Sequence, residues 1–562
     1  MEKRWQIAPS LSPQADEALN ELPPLLRQIL FNRGYPDKEQ AAHFLAASPP
    51  SGSEPLAMPG VPEAVERLEA ALLQGERIVV YGDYDTDGVT ACALLVQTLR
   101  ALGGEAHGYI PNRFEEGYGL NTQALDEIKA EGTALVVTVD CGIRALKEAE
   151  HAAQIGLDLI VSDHHTPGPE LPRARACINP KLPGGNYPEK NLAGVGVAYK
   201  LACALLEGQE TTAFSAQQLL DLVALGTVAD LAPLAGENRH LVRAGLKQLR
   251  RPHRQGVMAL IGVAGLKPQR LEASHIGFML GPRLNAAGRL DTAQDAYNLL
   301  LTDDVFTAGK LAQRLDNQNR QRQRITDETF TRAEALVTAE DPDAALLFAF
   351  DPEFNPGVVG LAASRLVERH YRPAIVGQEE SDTTRASCRS IPEFHITEAL
   401  QQCADLFEHF GGHAAAAGFT IQTDKVPELK ERLHAIAEKT LRGQDLRPVL
   451  HADAEVPLAE LKPELLEHLD LLEPTGYGNP KAAFVSRGLG VQRSYPVGKK
   501  AEHLKLVVSD GWVSFDAIAF RQGHWHEQMP EQIDLLYHFE LNEFRGQKKL
   551  QLNVRDLKPS QG

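Results

Sequence analysis

Acidic and histidine side chains recur at three places: Asp83, Asp85 and Asp87 in Gly82-Asp-Tyr-Asp-Thr-Asp-Gly88, then Asp140, then Asp163-His164-His165. Each group follows a short, mostly apolar run, Ile78–Tyr81, Leu135–Val139 or Leu157–Val161. A carboxylate at such a point is ordinarily a helix N-cap, and Asp140, ahead of Cys-Gly-Ile-Arg, fits that role. Capping uses one aspartate per helix. It does not account for three within five residues together with Asp-His-His. Carboxylates drawn together repel one another unless a cation lies between them. Oxygen donors with an imidazole and no thiolate suit Mn2+ or Mg2+, one ion or two. Asp230, in Gly226-Thr-Val-Ala-Asp-Leu-Ala-Pro233, is a fourth candidate. It closes a mainly apolar helix, where a carboxylate meets the unfavourable end of the helix dipole. A metal ion would account for it, and a solvated helix end would account for it as well.

The elements that must position these groups alternate between strand and helix. The strand Ile78–Tyr81 runs into an apolar helix, Val89 to Leu102. A short strand near Gly108–Pro111, a helix from Asn121, the strand Leu135–Val139, a helix to about Gln154 and the strand Leu157–Val161 follow. This alternation predicts a parallel sheet with crossover helices, and strands so apolar are buried on both faces. Ligands of such sheets bind beyond the carboxyl ends of the strands, so all three acidic groups are expected at one edge. Helices are predicted at Val195–Glu207, Gln217–Val228 and Arg239–Arg250, then a long one at Asp304–Val337. A second α/β pattern has strands at Ala344–Phe350 and Pro373–Val376, a helix after Pro356, and a helix from Thr397 to Phe410 that ends at Gly411-Gly-His-Ala-Ala-Ala-Ala-Gly418. After Leu450 the chain reads as strand. Lys549–Arg555 alternates, and Val513, Phe515, Ala517 and Ala519 share a face, which predicts a small β-barrel. The expected domains are 1–55 (a helical lead-in), 56–265, 266–340 (a helical connector), 341–447 and 448–562.

Composition narrows the class. With 562 residues, three to four domains are expected at about 150 residues each. Apolar residues make up 43% and charged residues 23%, which excludes wholesale disorder. No run is long and apolar enough for a membrane span, and Met-Glu-Lys-Arg-Trp-Gln opens no secretory signal. The six scattered cysteines form no C-x-x-C pair, as expected of free thiols in a reducing cytoplasm. A net charge of −18 argues against nucleic acid as a partner unless basic charge is local. Two local exceptions are Arg239–Arg254 and Arg314–Arg324, which read equally well as phosphate tracks or as solvated helix faces.

The order Gly-Asp-Tyr-Asp-Thr-Asp-Gly, strand-end Asp, Asp-His-His and Gly-Thr-Val-Ala-Asp resembles the four motifs of the DHH phosphoesterase superfamily. Gly411–Gly418 resembles the glycine-rich signature of its associated substrate-binding domain. Gly281-Pro-Arg-Leu-Asn-Ala-Ala-Gly-Arg289, Ser387-Cys-Arg-Ser-Ile-Pro-Glu-Phe-His-Ile396 and the trailing barrel resemble the branch that holds bacterial exonucleases specific for single-stranded DNA. The implied fold is α/β: a parallel-sheet DHH domain, joined by a long helix to a second α/β (DHH-associated) domain, plus a C-terminal OB-like β-barrel. The resemblance implies metal ligation by Asp83, Asp85 and Asp87, with the directly bound pair left open. Asp140 would bridge two metals, His164 would be a ligand, and Asp230 would complete the second site. Asp163 and His165 would orient ligands or phosphate, so the catalytic set is Asp140, Asp163, His164 and His165. Two ions about 4 Å apart can activate a bridging water and clamp an in-line displacement at phosphorus. Thr86 departs from the alanine common in the family.

The resemblance also implies a substrate site. Gly411 and Gly412 would let backbone approach a phosphate, and His413 could donate to it. Ser387 and Arg389 would form a 5′-phosphate pocket, joined by Arg283, Asn285 and Arg289. Without the resemblance, Gly411-Gly412 reads as a helix C-cap and Arg389 as a surface arginine. Arg113, Phe114 and Tyr118, in the loop after the second strand, could stack on bases or bar a duplex. Phe544, Arg545, Lys548 and Lys549 of the barrel mix aromatic and basic character, as a stacking platform would.

The residues themselves argue for metal-dependent phosphoester hydrolysis. The resemblance adds an exonuclease that degrades single-stranded DNA 5′→3′ to 5′-mononucleotides in recombination and repair. It implies a cytoplasmic monomer whose partners are single-stranded DNA and, at family level, a single-strand-binding protein and a helicase, with no membrane. The competing expectations are a phosphodiesterase for short oligonucleotides or cyclic dinucleotides, and a replication scaffold that has lost its chemistry.

Overall fold

Ile78–Gly82 and Leu135–Val139 are buried along their whole length, and Asp158–Ser162 along nearly all of it. In the computed structural model, which describes residues 2–560 apart from 114, 118, 210–213, 342 and 545, they form the centre of a parallel five-stranded sheet. Its order is Ala106–Tyr109, Ile78–Gly82, Leu135–Val139, Asp158–Ser162, Ala176–Ile178. The strand order reverses between Ile78–Gly82 and Leu135–Val139, and a ligand crevice opens at such a switch point. Gly82 pairs with Val139, and Val139 with Ser162. Asp83, Asp140 and Asp163 therefore leave the sheet side by side, as the strand pattern predicts. The helix Thr86–Ala101 is almost wholly buried and packs against Gly194–Leu206 and Leu220–Ala229. The outermost strand, Ala176–Ile178, is too short to have stood out in the sequence.

Contacts divide the chain into two compact units. One contains Ala286–Asp291 and Arg314–Val449, and the other contains the parallel sheet and the C-terminal region. The 36-residue helix Val305–Glu340 runs from one into the other along the chain. The first unit holds a mixed sheet in the order Phe407–Gly412, Ala416–Gln422, Thr383–Arg389, Ala374–Glu379, Leu347–Asp351, with only the last pair parallel. Here the structure corrects the expected helix Thr397–Phe410. The helix is Ile396–Gln401, and Phe407–Gly412 is an edge strand. A bulge between Phe407 and His409 puts Phe407 and Phe410 on one side, three residues apart, which mimics helical spacing. Gly411-Gly412 is thus a hairpin and not a helix cap. Gly412 has φ 150°, and a Cβ there would lie 2.4 Å from the Ala416 carbonyl oxygen.

The C-terminal strands close a barrel: Phe484–Val497, His503–Ser509, Ser514–Ala519, Gln547–Pro559 and Gln532–Phe544, the last pairing back to the first. Leu26, Ile29, Leu30 and Phe44 of the lead-in share its apolar core with Phe484, Leu504 and Leu535. No helix among the described residues is long and apolar enough to cross a membrane.

Candidate metal centre

The loop after Ile78–Gly82 is tied at Asp85 and Asp87. Asp85 is the N-cap of Thr86–Ala101, its Oδ1 accepting from the Asp87 and Gly88 amides at 2.8 and 3.1 Å. The two Asp87 oxygens accept from the Gly194 and Val195 amides at 2.6 and 2.8 Å. These amides open the helix Gly194–Leu206, whose positive end favours an anion. The approach is close enough to require glycine. A Cβ on Gly226 would lie 2.8 Å from Asp87 Oδ1 and 2.4 Å from Thr90 Oγ1.

Asp140 does not cap a helix. It sits at φ 62°, and the next helix begins at Leu146 with Ala145 as its cap. His164 Nε2 lies 3.1 Å from Asp140 Oδ1, and Nδ1 lies 4.0 Å from Asp230 Oδ2. Asp230 is at the C-terminal end of Leu220–Ala229. Potential ligand atoms fall within 4.8 Å of one another in two acidic sets, Asp83 with Asp85 and Asp140, and Asp87 with His164 and Asp230. A third set joins Asp140, Asp163, His164 and His165, but Asp163 Oδ1 is saturated by three N–H donors, whereas each Asp87 oxygen accepts from one. Asp163 Oδ2 accepts from the Ile143 amide at 2.9 Å, and Oδ1 from the amides of His164 and His165 and from His165 Nδ1 at 2.7 Å.

Three buried polar atoms of this cluster have no hydrogen-bond partner: Asp83 Oδ1, Asp140 Oδ1 and His164 Nε2. Orphaned buried acceptors are rare, and three in one acidic cluster are what divalent cations would satisfy. The donor set of carboxylates and one imidazole fits Mn2+ or Mg2+.

The electrostatics agree. Burial first, then Asp85, raises Asp83; burial and then Asp87, Asp85 and Asp83 raise Asp140. Burial and Asp85 push Asp87 to about 7, and burial with Asp87 and Asp85 pushes Asp230 to about 9. Burial and the neighbouring His165 push His164 down to about 3, which leaves a neutral imidazole able to ligate. For His165, burial opposes the charged form, but the Asp163 hydrogen bond and nearby carboxylates outweigh it and raise its pKa. Burial likewise opposes the Asp163 carboxylate, and His165 together with backbone amides holds it below the usual range.

The substrate-binding candidates divide between the two units. With the metal cluster stand Arg113, whose guanidinium lies 5.2 Å from the Tyr84 ring centroid, and Arg283, whose Nη1 donates to the Met279 carbonyl. Asn285 Oδ1 accepts from the Thr86 amide at 2.7 Å. In the other unit Arg289, Ser387 and Arg389 converge on the turn at 355–360. Arg289 Nη1 is 3.4 Å from the Gly357 carbonyl oxygen, and a Cβ on Gly360 would meet Arg389 Nη2 at 3.0 Å and the Ser387 Cβ at 3.5 Å. Gly411, Gly412 and His413 are exposed on the hairpin beside them. Tyr118, Phe114 and Arg545 lie outside the described residues.

The basic run Arg239–Arg254 is largely structural. Arg239 is buried among backbone carbonyls, and Arg254 is buried against Asp221. Sequence reasoning also missed the clamping amides of Gly194 and Val195, and Lys181, whose Nζ donates to the His164 carbonyl at 2.6 Å. Backbone donors leave no residue signature; the only trace was a pair of glycines opening an apolar helix.

Comparison with known proteins bears on the same elements. Residues 77–227 match the DHH family N-terminal domain, 343–439 the DHHA1 domain and 452–556 the RecJ OB domain. A Bacillus subtilis protein, "Single-stranded-DNA-specific exonuclease RecJ", is 40% identical over 98% of this chain and 70% of its own length. The protein of that description from Escherichia coli is 38% identical over 96% of each chain. The chain belongs to the RecJ family. A structure of the Thermus thermophilus RecJ in complex with Mn2+ superposes with a TM-score of 0.86 at 32% identity, covering 100% of this chain and 80% of that one. The RecJ match agrees with the α/β architecture, the closing OB barrel and the manganese-compatible donor set read from the chain itself.

Proposed function

We propose that this chain is a divalent-metal-dependent exonuclease that degrades single-stranded DNA from its 5′ end to 5′-mononucleotides, in DNA recombination and repair. The observation that carries the reading is the trio of orphaned buried atoms, Asp83 Oδ1, Asp140 Oδ1 and His164 Nε2. A scaffold that had lost its chemistry would have no reason to keep crowded carboxylates without partners. Full-length similarity to the RecJ relatives, barrel included, favours a long polymer over a cyclic dinucleotide.

In this reading Asp83, Asp85 and Asp140 would hold one ion and Asp87, His164 and Asp230 the other, with Asp140, 3.1 Å from His164, serving both. Bound Mn2+ or Mg2+ lowers the pKa of water and neutralises charge developing on the phosphoryl oxygens. The chain's residues supply the rest. Gly194 and Val195 fix the Asp87 carboxylate, Asp163 turns His165, and the charge-favoured His165 steadies the phosphate. Arg289, Ser387 and Arg389 hold a 5′-phosphate, with Gly411, Gly412 and His413 alongside. Arg113 and Arg283 contact the strand near the metal ligands. The wider proposals are a cytoplasmic monomer whose protein partners include a single-strand-binding protein and a helicase.

The test uses a labelled 5′-phosphorylated single strand, the same strand blocked at its 5′ end, and the duplex, each with Mn2+, Mg2+ or chelator. Metal-dependent release of mononucleotides from the free single strand alone is expected. Binding of the strand without cleavage under every condition would overturn the reading.

A further inference from the structure

The segment Asp85-Thr86-Asp87 is secured by three separate elements. Asp85 caps its own helix, and Asp87 is gripped by the start of Gly194–Leu206. Thr86 is held by Asn285, in the helix Gly281–Leu290. The leading N–H groups of a helix have no partner within it. In Thr86–Ala101 the amides of Asp87 and Gly88 go to the Asp85 side chain, and that of Val89 goes to the Asp85 carbonyl. Asp85 cannot reach the remaining amide, that of Thr86. It donates to Asn285 Oδ1 at 2.7 Å, across a sequence separation of 199 residues. The Thr86 hydroxyl adds to this joint, standing 2.9 Å from Asn285 Oδ1 and 3.3 Å from the Gly281 carbonyl oxygen. Thr86 is buried, so its amide has no water to turn to.

We propose that Asn285 is a positioning residue for the metal ligands, capping from a distant helix the peptide that joins Asp85 to Asp87, and not a contact to the substrate. This rests on the metal reading above. Thr86 joins the two carboxylate-bearing residues along the chain, so a rotation there moves both. A backbone N–H can only donate, so the oxygen of the Asn285 amide must face Thr86. A side chain with an acceptor in that place can do the work, and one without cannot. The Thr86 hydroxyl gives this chain a second strap that an alanine would lack.

Mn2+ uptake by the full-length chain, titrated without DNA, reads the role directly. Asn285→Ala should weaken Mn2+ binding by about 10-fold or more, as loss of a partner that orients ligands does. Its melting temperature in chelator should fall only by the few degrees that one orphaned buried amide costs. Asn285→Asp keeps an oxygen toward Thr86 and should hold affinity within about threefold of wild type. Asn285→Gln carries the same amide on a longer stem and should lose affinity as the alanine variant does, which separates misplacement from misfolding. At saturating Mn2+ the KM of Asn285→Ala for a single-stranded oligonucleotide should match wild type. Wild-type Mn2+ affinity in Asn285→Ala, or a raised KM with affinity unchanged, would overturn the inference and return Asn285 to substrate contact. Asp140→Asn separates the two levels. If it loses Mn2+ uptake while Asn285→Ala keeps it, only the inference fails. If the wild-type chain takes up no Mn2+, the metal reading fails and the inference fails with it.

Discussion

His164 Nε2 and Asp140 Oδ1 stand 3.1 Å apart in the interior without forming a hydrogen bond. The imidazole is held neutral and the carboxylate is crowded by Asp87, Asp85 and Asp83. Two groups this close gain from each other only through a third that accepts a lone pair from both. Replacing Asp140 with asparagine should therefore have opposite effects on activity and on the metal-free fold. Cleavage of single-stranded DNA should fall by about 1,000-fold or more, since a ligand and a charge are both lost. The chelated protein should melt at a higher temperature, because one of several mutually repelling buried carboxylates is gone. Paired nuclease assays and thermal melts check both. Lower stability in chelator would mean that Asp140 is satisfied without metal.

The same crowding sets a pH dependence in the metal-free protein. Asp87 at about 7 and Asp230 at about 9 are raised from 3.8, by burial first and by neighbouring carboxylates second. Between the unfolded and folded values the native state binds more protons than the unfolded one, so stability falls as pH rises. His165, also raised, acts in the same direction; His164, lowered to about 3, acts in the opposite one below its unfolded value of 6.5. The clean window is therefore pH 7 to 9, bounded by the Asp87 and Asp230 values. In chelator the melting temperature should fall across it. With saturating Mn2+ the fall should shrink, because the ion takes the place of the protons and binds more tightly as pH rises. A chelated protein whose melting temperature rises across this window would contradict the assignment.

Arg239 shows why a basic run can mislead. Its guanidinium is buried, stacks 4.0 Å from the Phe44 ring centroid and donates to the carbonyls of Phe44, Leu471, Leu472 and Pro474. It ties the lead-in, the helix Gly236–Leu249 and the approach to the barrel together. Arg239→Ala strands those carbonyls and should cost about 3 kcal/mol or more. Arg239→Lys should recover little, because one ammonium cannot span the same acceptors. Urea denaturation measures both. If the residue tracked DNA instead, the variants would fold normally and bind single strands with a weaker salt dependence.

What was legible in the sequence follows from the same physics. Ile78–Tyr81 and Leu135–Val139 could be read because strands buried on both faces carry an unbroken apolar run. The aspartates could be read because several carboxylates at strand ends exceed what capping needs. Phe407–Gly412 could not, since its bulge spaces Phe407 and Phe410 as a helix would. The grip of Gly194 and Val195 on Asp87 could not, since it is made by backbone amides. Arg239 and Arg254 share with Lys247 a run that reads equally well as a phosphate track or a solvated helix face, and only long-range packing separates them.

Arg389 gives the sharpest test of the substrate reading. Its guanidinium lies against Gly360, in the first turn of the helix Val359–His370, with Ser387 beside it. A guanidinium and a helix start side by side both offer N–H donors to an anion. Arg289 reaches the same turn at Gly357. If this corner holds the 5′-phosphate, Arg389→Ala should raise KM for a 5′-phosphorylated single strand by about 10-fold or more, the worth of a charge-assisted pair. The 5′-hydroxyl strand, already lacking that partner, should change far less, and kcat at saturation should hold for both. Arg389→Lys should restore only part of the affinity, because an ammonium lacks the planar fork. Steady-state kinetics on the two strands decide it. An equal rise in KM for both would move Arg389 away from the terminal phosphate and onto the strand's backbone.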